Sequence, residues 1–198
     1  MTKDSTPTSV AVFCASSAGS TDTHEKKSYE LGQYLAQSNM HVFYGGGQSG
    51  NMGALMNGAT AHNGFMTALI PDVYYNKDEK FHQNITVIPC HTDIERLESF
   101  MSCDFKIVAS GGFGSMGEMG IAMTRVVDST YSQNKVNPLI FYNIENHWDP
   151  IKQLVENITQ NGFGKNEAKQ LFRFSDNPQE VVQIIKSGTV NAQRLSHA

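Results

Sequence analysis

Apolar positions along the chain alternate between a spacing of two residues and a spacing of about 3.6 residues, the periods of strands and helices. Strands are predicted at 9–14, 41–44, 66–70, 85–88, 106–109, 138–142 and 171–174, and helices at 23–37, 52–63, 94–102, 115–131, 149–160 and 178–185. The strands are almost continuously apolar, which is typical of strands buried on both faces. The alternation predicts an α/β fold, a Rossmann-like doubly wound parallel sheet with helices on both faces.

The two ends of the chain lack this pattern. Residues 1–8 are polar and residues 187–198 show no periodicity, so we expect a flexible N-terminus and a loose C-terminal tail around one domain at 9–186. No apolar stretch is long enough for a membrane span, and the start of the chain lacks the apolar core of a signal peptide. We therefore expect no membrane association.

Charge and cysteine content narrow the range of partners. The net charge of -4 gives no footprint for a nucleic-acid polymer, which normally requires a basic surface. The three cysteines lack CxxC spacing and the seven histidines are dispersed, so neither a disulfide framework nor a metal site is predicted. We expect a cytoplasmic protein that binds a small molecule without a metal.

Glycine-rich turns follow three of the predicted strands, at 15–19, 45–50 and 110–115. Glycine and serine leave backbone N–H groups accessible, and helix N-termini carry partial positive charge. Because ligands bind at the carboxyl edge of such sheets, the turns together predict a cradle for a phosphate. For each turn alone, glycine could equally serve the tight backbone geometry.

Two nucleotide-binding motifs can be compared with these turns. Gly45, Gly47 and Gly50 match the spacing of the dinucleotide fingerprint, but they follow the second strand instead of the first. NAD binding is therefore possible and not preferred. No GxxxxGK[ST] sequence occurs, which argues against a P-loop NTPase.

Two charged residues near the cradle are candidates for chemistry. Glu118 falls on the first turn of a predicted helix, where it could act as a base, stabilise a developing positive charge, or only complement the helix dipole. Arg96, on the preceding helix, could bind a phosphate or lie solvated on the surface.

Three segments carry a resemblance to a known family. Val-Phe-Cys-Ala-Ser-Ser, Tyr-Gly-Gly-Gly-x-x-Gly-x-Met-Gly and x-Gly-Gly-x-Gly-x-x-x-Glu occur in this order, and the similarity covers about residues 10–158. They resemble the LOG family, long labelled "lysine decarboxylase-like", which includes cytokinin riboside 5'-monophosphate phosphoribohydrolases. The resemblance implies a homodimer that hydrolyses the N-glycosidic bond of a nucleoside 5'-monophosphate to free base and ribose 5-phosphate, without a cofactor.

The resemblance also implies roles for individual residues. Glu118 would be the catalytic carboxylate, assisted by an arginine from an Arg-Lys pair, and Ser17 would line the nucleotide cleft. The other implied positions are Gly45, Gly46 and Gly47 in the cleft, and Gly111, Gly112, Gly114 and Ser115 around the phosphate.

The chain departs from the family pattern at several places, among them Asn51 for the family's usual leucine and Arg125 for an aromatic residue. The family's Pro-Gly-Gly-x-Gly-Thr reads Ser-Gly-Gly-Phe-Gly-Ser at 110–115, which keeps the hydroxyl and loses the proline. Ungapped spacing places the Arg-Lys pair on Glu95 and Arg96, so an arginine is present one position late. One residue on a helix turns a side chain by about 100°, and this leaves the direction of Arg96 open.

These observations support two hypotheses for a divergent member of the family. The first is a nucleoside-monophosphate N-glycosidase in which Glu118 and Arg96 are catalytic. The alternative is a catalytically silent protein that binds or senses a nucleotide through the same cradle.

Overall fold

The computed structural model describes residues 6–132 and 135–191, and the predictions for residues 1–5 and 192–198 lie outside this range. The strands are β1 (Ser9–Phe13), β2 (His41–Tyr44), β3 (Met66–Pro71), β4 (Ile85–Cys90), β5 (Phe105–Val108), β6 (Lys135–Val136), β7 (Leu139–Tyr142), β8 (Phe172–Ser175) and β9 (Val190–Asn191). The helices are α1 (Asp22–Gln37), α2 (Gly50–Thr60), α3 (Asp93–Met101), α4 (Phe113–Ser132), α5 (Asp149–Gln160) and α6 (Pro178–Ser187), with short 3-10 turns at Ile144–Asn146 and Asn166–Leu171.

Seven strands form one parallel sheet in the order β4-β3-β2-β1-β5-β7-β8. The chain runs outward from β1 to β4 and then returns to place β5 against the other side of β1. Adjacent parallel strands whose connections leave in opposite directions open a crevice at their carboxyl ends. The crevice between β1 and β5 is therefore the expected ligand site of this sheet, and the predicted Rossmann-like fold is confirmed.

The sheet separates two hydrophobic clusters. Val10 and Val12 of β1 face one cluster, to which α1, α2 and α6 contribute, whereas Ala11 and Phe13 face the other, to which α3, α4 and α5 contribute. Alternate side chains of a strand point to opposite faces, so a strand covered on both faces is apolar throughout. This explains the continuous apolar runs in the sequence.

The sequence pattern does not predict two local features of the structure, a short second sheet and the contacts at the start of α1. The structure adds a two-residue antiparallel ladder between β6 and β9, the latter inside the segment expected to be a loose tail. Asp22 and Glu25 suggest a capping box for the first helix, but the residue that precedes this helix is Thr21, whose side chain does not cap it. The Thr21 hydroxyl instead donates to the Glu145 carboxylate at 2.9 Å, because the tertiary fold brings that acceptor close.

Helices α1 and α2 approach each other closely at two glycines. A Cβ at Gly58 would clash with the backbone carbonyl of Tyr29, and a Cβ at Gly32 would clash with the carbonyl of Leu55. Neither carbonyl can rotate away as a flexible side chain would. The close packing fixes α2, whose first turn borders the crevice.

In the described part of the chain, no helix has the length and apolarity to cross a membrane.

Gly58→Ala is predicted to destabilise the protein by about 2 kcal/mol, because the added methyl group must push α1 and α2 apart. Urea unfolding followed by circular dichroism measures the loss. The adjacent Asn57→Ala is the control, since Asn57 is exposed on the same helix and alanine has the higher helix propensity. Equal stability of the two variants would contradict the close packing.

Candidate active site

The three glycine-rich turns meet at the carboxyl ends of β1 and β5. The Ala15 amide donates to the Ser110 carbonyl at 3.0 Å, which joins the turn after β1 to the turn after β5. The Met52 amide donates to the Ala15 carbonyl, also at 3.0 Å, and joins the start of α2 to both. The convergence expected from the sequence is present, and it occurs at the point where the strand order reverses.

The turn at 110–115, called the phosphate turn below, leads directly into α4. Met116 makes the first bond of this helix, from its amide to the Gly112 carbonyl at 3.0 Å, and the N–H groups before it have no partner within the helix. Gly112 and Gly114 face open space, whereas Gly111 packs against the buried Ser115 side chain. Backbone N–H groups and a helix N-terminus thus lie together at an accessible surface, the arrangement that binds phosphate groups.

The turn after β2 forms the opposite wall. Gly46 has a φ of +85°, and a Cβ there would clash with Ile70. A Cβ at Gly45 would lie 2.9 Å from Nη2 of Arg96, so the missing side chain gives the guanidinium its place. Gly47 packs against Met52, and Ser17 is exposed on the neighbouring turn.

Arg96 points into the crevice because of the way α3 begins. The Thr92 hydroxyl accepts the amide of Glu95 at 3.1 Å, and the Glu95 carboxylate accepts the amide of His91 at 2.9 Å. These bonds resemble a capping box and hold Glu95 at the helix start. The following residue, Arg96, is turned by about 100° toward the sheet. The direction of the Arg96 side chain, which the sequence left open, is therefore into the crevice.

The Arg96 side chain is held on three sides. Its Nε donates to the Leu69 carbonyl at 3.1 Å, and its guanidinium carbon lies 4.9 Å from the centre of the Phe100 ring. Its Nη1 lies 2.8 Å from Oε1 of Glu118, and the two side chains are only 16% and 9% exposed. The two candidate residues therefore form a buried ion pair beside the phosphate turn.

Burial and the ion pair act on the Glu118 carboxyl in opposite directions. Loss of hydration raises the pKa of Glu118, and the charge and hydrogen bond of Arg96 lower it, with burial the larger effect. The pKa of Glu118 therefore lies above the ordinary value of 4.5. A carboxyl with a raised pKa can exchange a proton closer to neutral pH, which suits a general acid or base.

Two groups buried at the carboxyl ends of β1 and β2, close to the crevice, favour their neutral forms. Cys14 at the end of β1 is buried, and both burial and the Glu118 charge raise the pKa of its thiol. Burial likewise raises the pKa of Tyr44, whose hydroxyl has no hydrogen-bond partner in the described part of the protein. Buried, neutral surroundings strengthen electrostatic interactions within the site.

The sequence prediction did not include the two histidines at the site or the contacts made by Asn51. Asn51 is buried, and its amide donates to the Ser17 carbonyl at 2.8 Å, which fixes the turn after β1. His24 and His147 contact the first two residues of the phosphate turn, Ser110 and Gly111. No motif marks the histidines, because they come from different loops. Within the described ranges, no group of three or more His, Cys, Asp or Glu residues could hold a metal ion.

Comparison with known proteins places the chain in a family. A family model described as "Possible lysine decarboxylase" matches residues 52–185, more than half of the chain. The chain belongs to this family. The matched segment contains Arg96, the phosphate turn and Glu118, and the resemblance to the LOG family noted from the sequence is confirmed.

The names of curated relatives of this chain are more specific than the description of the family model. A cytokinin riboside 5'-monophosphate phosphoribohydrolase of Arabidopsis thaliana is 24% identical over 182 residues, which cover 89% of this chain and 82% of the relative. The enzyme of the same name from Rhodococcoides fascians is 26% identical over 160 residues, covering 80% of this chain and 79% of the relative.

Solved structures share the fold. A molybdenum cofactor binding protein from Rippkaea orientalis superposes with a TM-score of 0.69 at 19% identity, covering 93% of this chain and 98% of that chain. The molybdenum cofactor carrier protein of Chlamydomonas reinhardtii gives 0.65 at 14% identity, covering 92% and 98%. At these identities the likeness is one of fold alone.

The raised pKa of Glu118 predicts a pH-dependent contribution to stability. Below pH 4.5 the carboxyl is protonated in both states; as the pH rises, the unfolded chain loses this proton first, so stability is lost up to the higher folded pKa. Glu118→Gln has no titrating carboxyl at this position and does not lose this stability. Its free energy of unfolding should therefore rise relative to that of the wild type as the pH increases, and the difference should level off above the folded pKa. Urea unfolding at a series of pH values measures the difference.

The control for this series is Glu98→Gln, which removes an exposed carboxylate from α3. A pH-independent difference between wild type and Glu118→Gln would show that burial does not raise the pKa of Glu118.

Proposed function

We propose that this protein hydrolyses the N-glycosidic bond of a nucleoside 5'-monophosphate, releasing the free base and ribose 5-phosphate. The observation that carries the proposal is the buried Arg96–Glu118 pair, 2.8 Å between Nη1 and Oε1, next to a turn suited to a phosphate. Family membership and the names of the curated relatives support the same reaction class.

The phosphate turn would bind the 5'-phosphate through backbone N–H groups at 111–115 and the start of α4. Water would then attack C1' of the ribose as the bond from C1' to the base nitrogen breaks. The electron pair of that bond leaves with the base, which takes up a proton. The reaction as proposed consumes water and transfers no electrons, so it calls for no redox cofactor.

Glu118 would act on the sugar. Cleavage of a glycosidic bond passes through an oxocarbenium-like state, and a carboxylate close to C1' stabilises its positive charge. Its raised pKa also suits the carboxyl to accept a proton from the attacking water.

Arg96 would orient the catalytic carboxylate. Its bonds to the Leu69 carbonyl and to Glu118 hold Oε1 in one place, so that Oε2 remains for the substrate. Gly45 leaves room for Nη2 on the cleft side, where it could also contact a substrate oxygen. A fixed guanidinium and a fixed carboxylate limit the reorganisation needed during the reaction.

The second candidate is a nucleotide-binding protein without turnover. The Arg96 guanidinium is already engaged by protein groups, as expected if the pair only stabilises a binding pocket. The titles of two structural neighbours name binding or carriage of a molybdenum cofactor. This candidate shares the phosphate turn with the first and differs in predicting no base release.

The deciding experiment incubates purified protein with AMP, GMP, CMP, UMP and N6-isopentenyl AMP, and measures free base by liquid chromatography. Wild type is expected to release base from at least one nucleotide. Glu118→Gln should lower the rate at least about 100-fold, because it removes the proton acceptor and the negative charge. Arg96→Gln should lower it as well, since Glu118 loses its partner.

Glu98→Gln is the matched control and should keep wild-type activity, since Glu98 is exposed on the same helix as Arg96. If no nucleotide yields free base while AMP binding persists, the silent binding protein is the better account.

We further propose that the protein forms the homodimer expected from the resemblance, through the exposed face of α4. Phe113, Met116 and Ile121 are 93%, 46% and 37% exposed, and Gly117 and Gly120 between them face open space. Residues three and four apart share one face of a helix. An exposed apolar patch that leaves room for close approach is suited to an identical helix.

Ile121→Lys is predicted to shift the protein toward the monomer in sedimentation equilibrium, because a charge would be buried in the interface. Leu154→Lys introduces the same charge at an exposed apolar position of α5 and should leave the association unchanged. A wild type that is monomeric at all concentrations would refute the dimer.

A further inference from the structure

Three segments from different parts of the chain meet at the first residues of the phosphate turn. The start of α1 contributes His24, the phosphate turn contributes Ser110 and Gly111, and the loop before α5 contributes Glu145 and His147. The proposed reaction uses none of these side chains directly, so their arrangement requires its own explanation.

His24 is buried and has partners at both ring nitrogens. Its Nδ1 lies 2.9 Å from the Ser110 hydroxyl, and its Nε2 lies 3.2 Å from the Glu145 carboxylate, which also accepts the Thr21 hydroxyl. Because an ionised carboxylate only accepts, the proton belongs on Nε2. In the neutral ring Nδ1 then accepts the Ser110 hydroxyl, and the first residue of the phosphate turn is fixed.

His147 acts on the next residue of the turn. Its Nε2 lies 2.9 Å from the Gly111 carbonyl oxygen and 3.5 Å from the Gly111 amide nitrogen. With the proton on Nε2, the ring donates to the carbonyl and leaves the amide N–H for another acceptor. The imidazole therefore controls the orientation of the peptide groups around Gly111.

The loop that presents Glu145 and His147 adopts an unusual backbone. Glu145 and Asn146 are consecutive non-glycine residues with φ values of 51° and 60°. Left-handed conformations cost free energy for such residues and persist where the surroundings hold them. Here the strained pair supplies the carboxylate that binds His24 and directly precedes His147, whose imidazole binds Gly111.

A Ser–His–Glu arrangement is also found in serine hydrolases, but two observations argue against a nucleophile here. Ser110 is only 4% exposed, and its hydroxyl is directed at the buried His24 ring. A nucleophile must reach a substrate atom, and this hydroxyl is enclosed by protein.

We propose that His24 and His147 are positioning residues, which hold Ser110 and Gly111 so that the phosphate turn is preorganised for a phosphomonoester. The proposal rests on the proposed function for the identity of the ligand, but it concerns binding and requires no turnover. Preorganised N–H groups bind an anion more tightly than a turn that must first be ordered.

The test compares the binding of AMP, inorganic phosphate and adenosine to the full chain by NMR titration. His147→Leu and His24→Leu should each weaken AMP and phosphate binding about tenfold, the effect of losing roughly one hydrogen bond. His147→Gln should retain binding within about threefold, since its amide can donate to the Gly111 carbonyl as Nε2 does. Adenosine binding should not change in any variant.

Other outcomes overturn the proposal. A general structural role would weaken adenosine and AMP binding alike and would not be rescued by glutamine. Unchanged phosphate binding in both leucine variants, with melting temperatures near that of wild type, would show that the histidines do not position the turn. A wild type that binds neither AMP nor phosphate would refute it as well. Tight AMP binding without base release would refute only the hydrolase.

Discussion

The ion pair between Arg96 and Glu118 is the interaction on which the arrangement of the site depends. Both side chains are largely buried, and a buried charge is tolerated only when it is paired and hydrogen-bonded. The chain meets this condition with Leu69, whose carbonyl accepts from Arg96, and with Gly45, which leaves space for the guanidinium. The pair thereby joins α3 to α4, and with them the two sides of the crevice.

Strand order gives the pair its functional position. Glu118 follows β5, Arg96 follows β4, and the chain crosses the sheet between them. The crossing places β5 beside β1, so that the turns after both strands border one crevice. A phosphate bound at the start of α4 would therefore lie close to the carboxylate. This proximity of an anion site and an acid–base group is what makes the site suited to act on a phosphorylated substrate.

The phosphate turn combines two accessible glycines with hydrogen bonds to two histidines. Gly112 and Gly114 have open space around them, whereas the buried His24 and the exposed His147 hydrogen-bond to Ser110 and Gly111. The resemblance noted from the sequence places a proline where this chain has Ser110. A proline restricts the backbone through its ring. In this protein, hydrogen bonds to Ser110 and Gly111 restrict it instead.

The sequence by itself determined the order along the chain of the seven sheet strands and the six helices, the parallel sheet, and the glycine-rich turns that border the crevice. These properties follow from local periodicity and from backbone geometry, which nearby residues control. It also marked Glu118 and Arg96 as candidates. It did not determine that Arg96 rather than Glu95 faces the cleft, because that depends on how α3 is capped and on Leu69 and Phe100.

Only the tertiary structure brought His24, Ser110, Glu145 and His147 together. Their separations along the chain reach more than a hundred residues, and a short-range pattern contains no information about such contacts. The role of Thr21 shows the same limit, since its hydroxyl binds Glu145 instead of capping its own helix. Local spacing specifies which elements form, whereas side-chain partners are decided by the packing of elements that are distant in sequence.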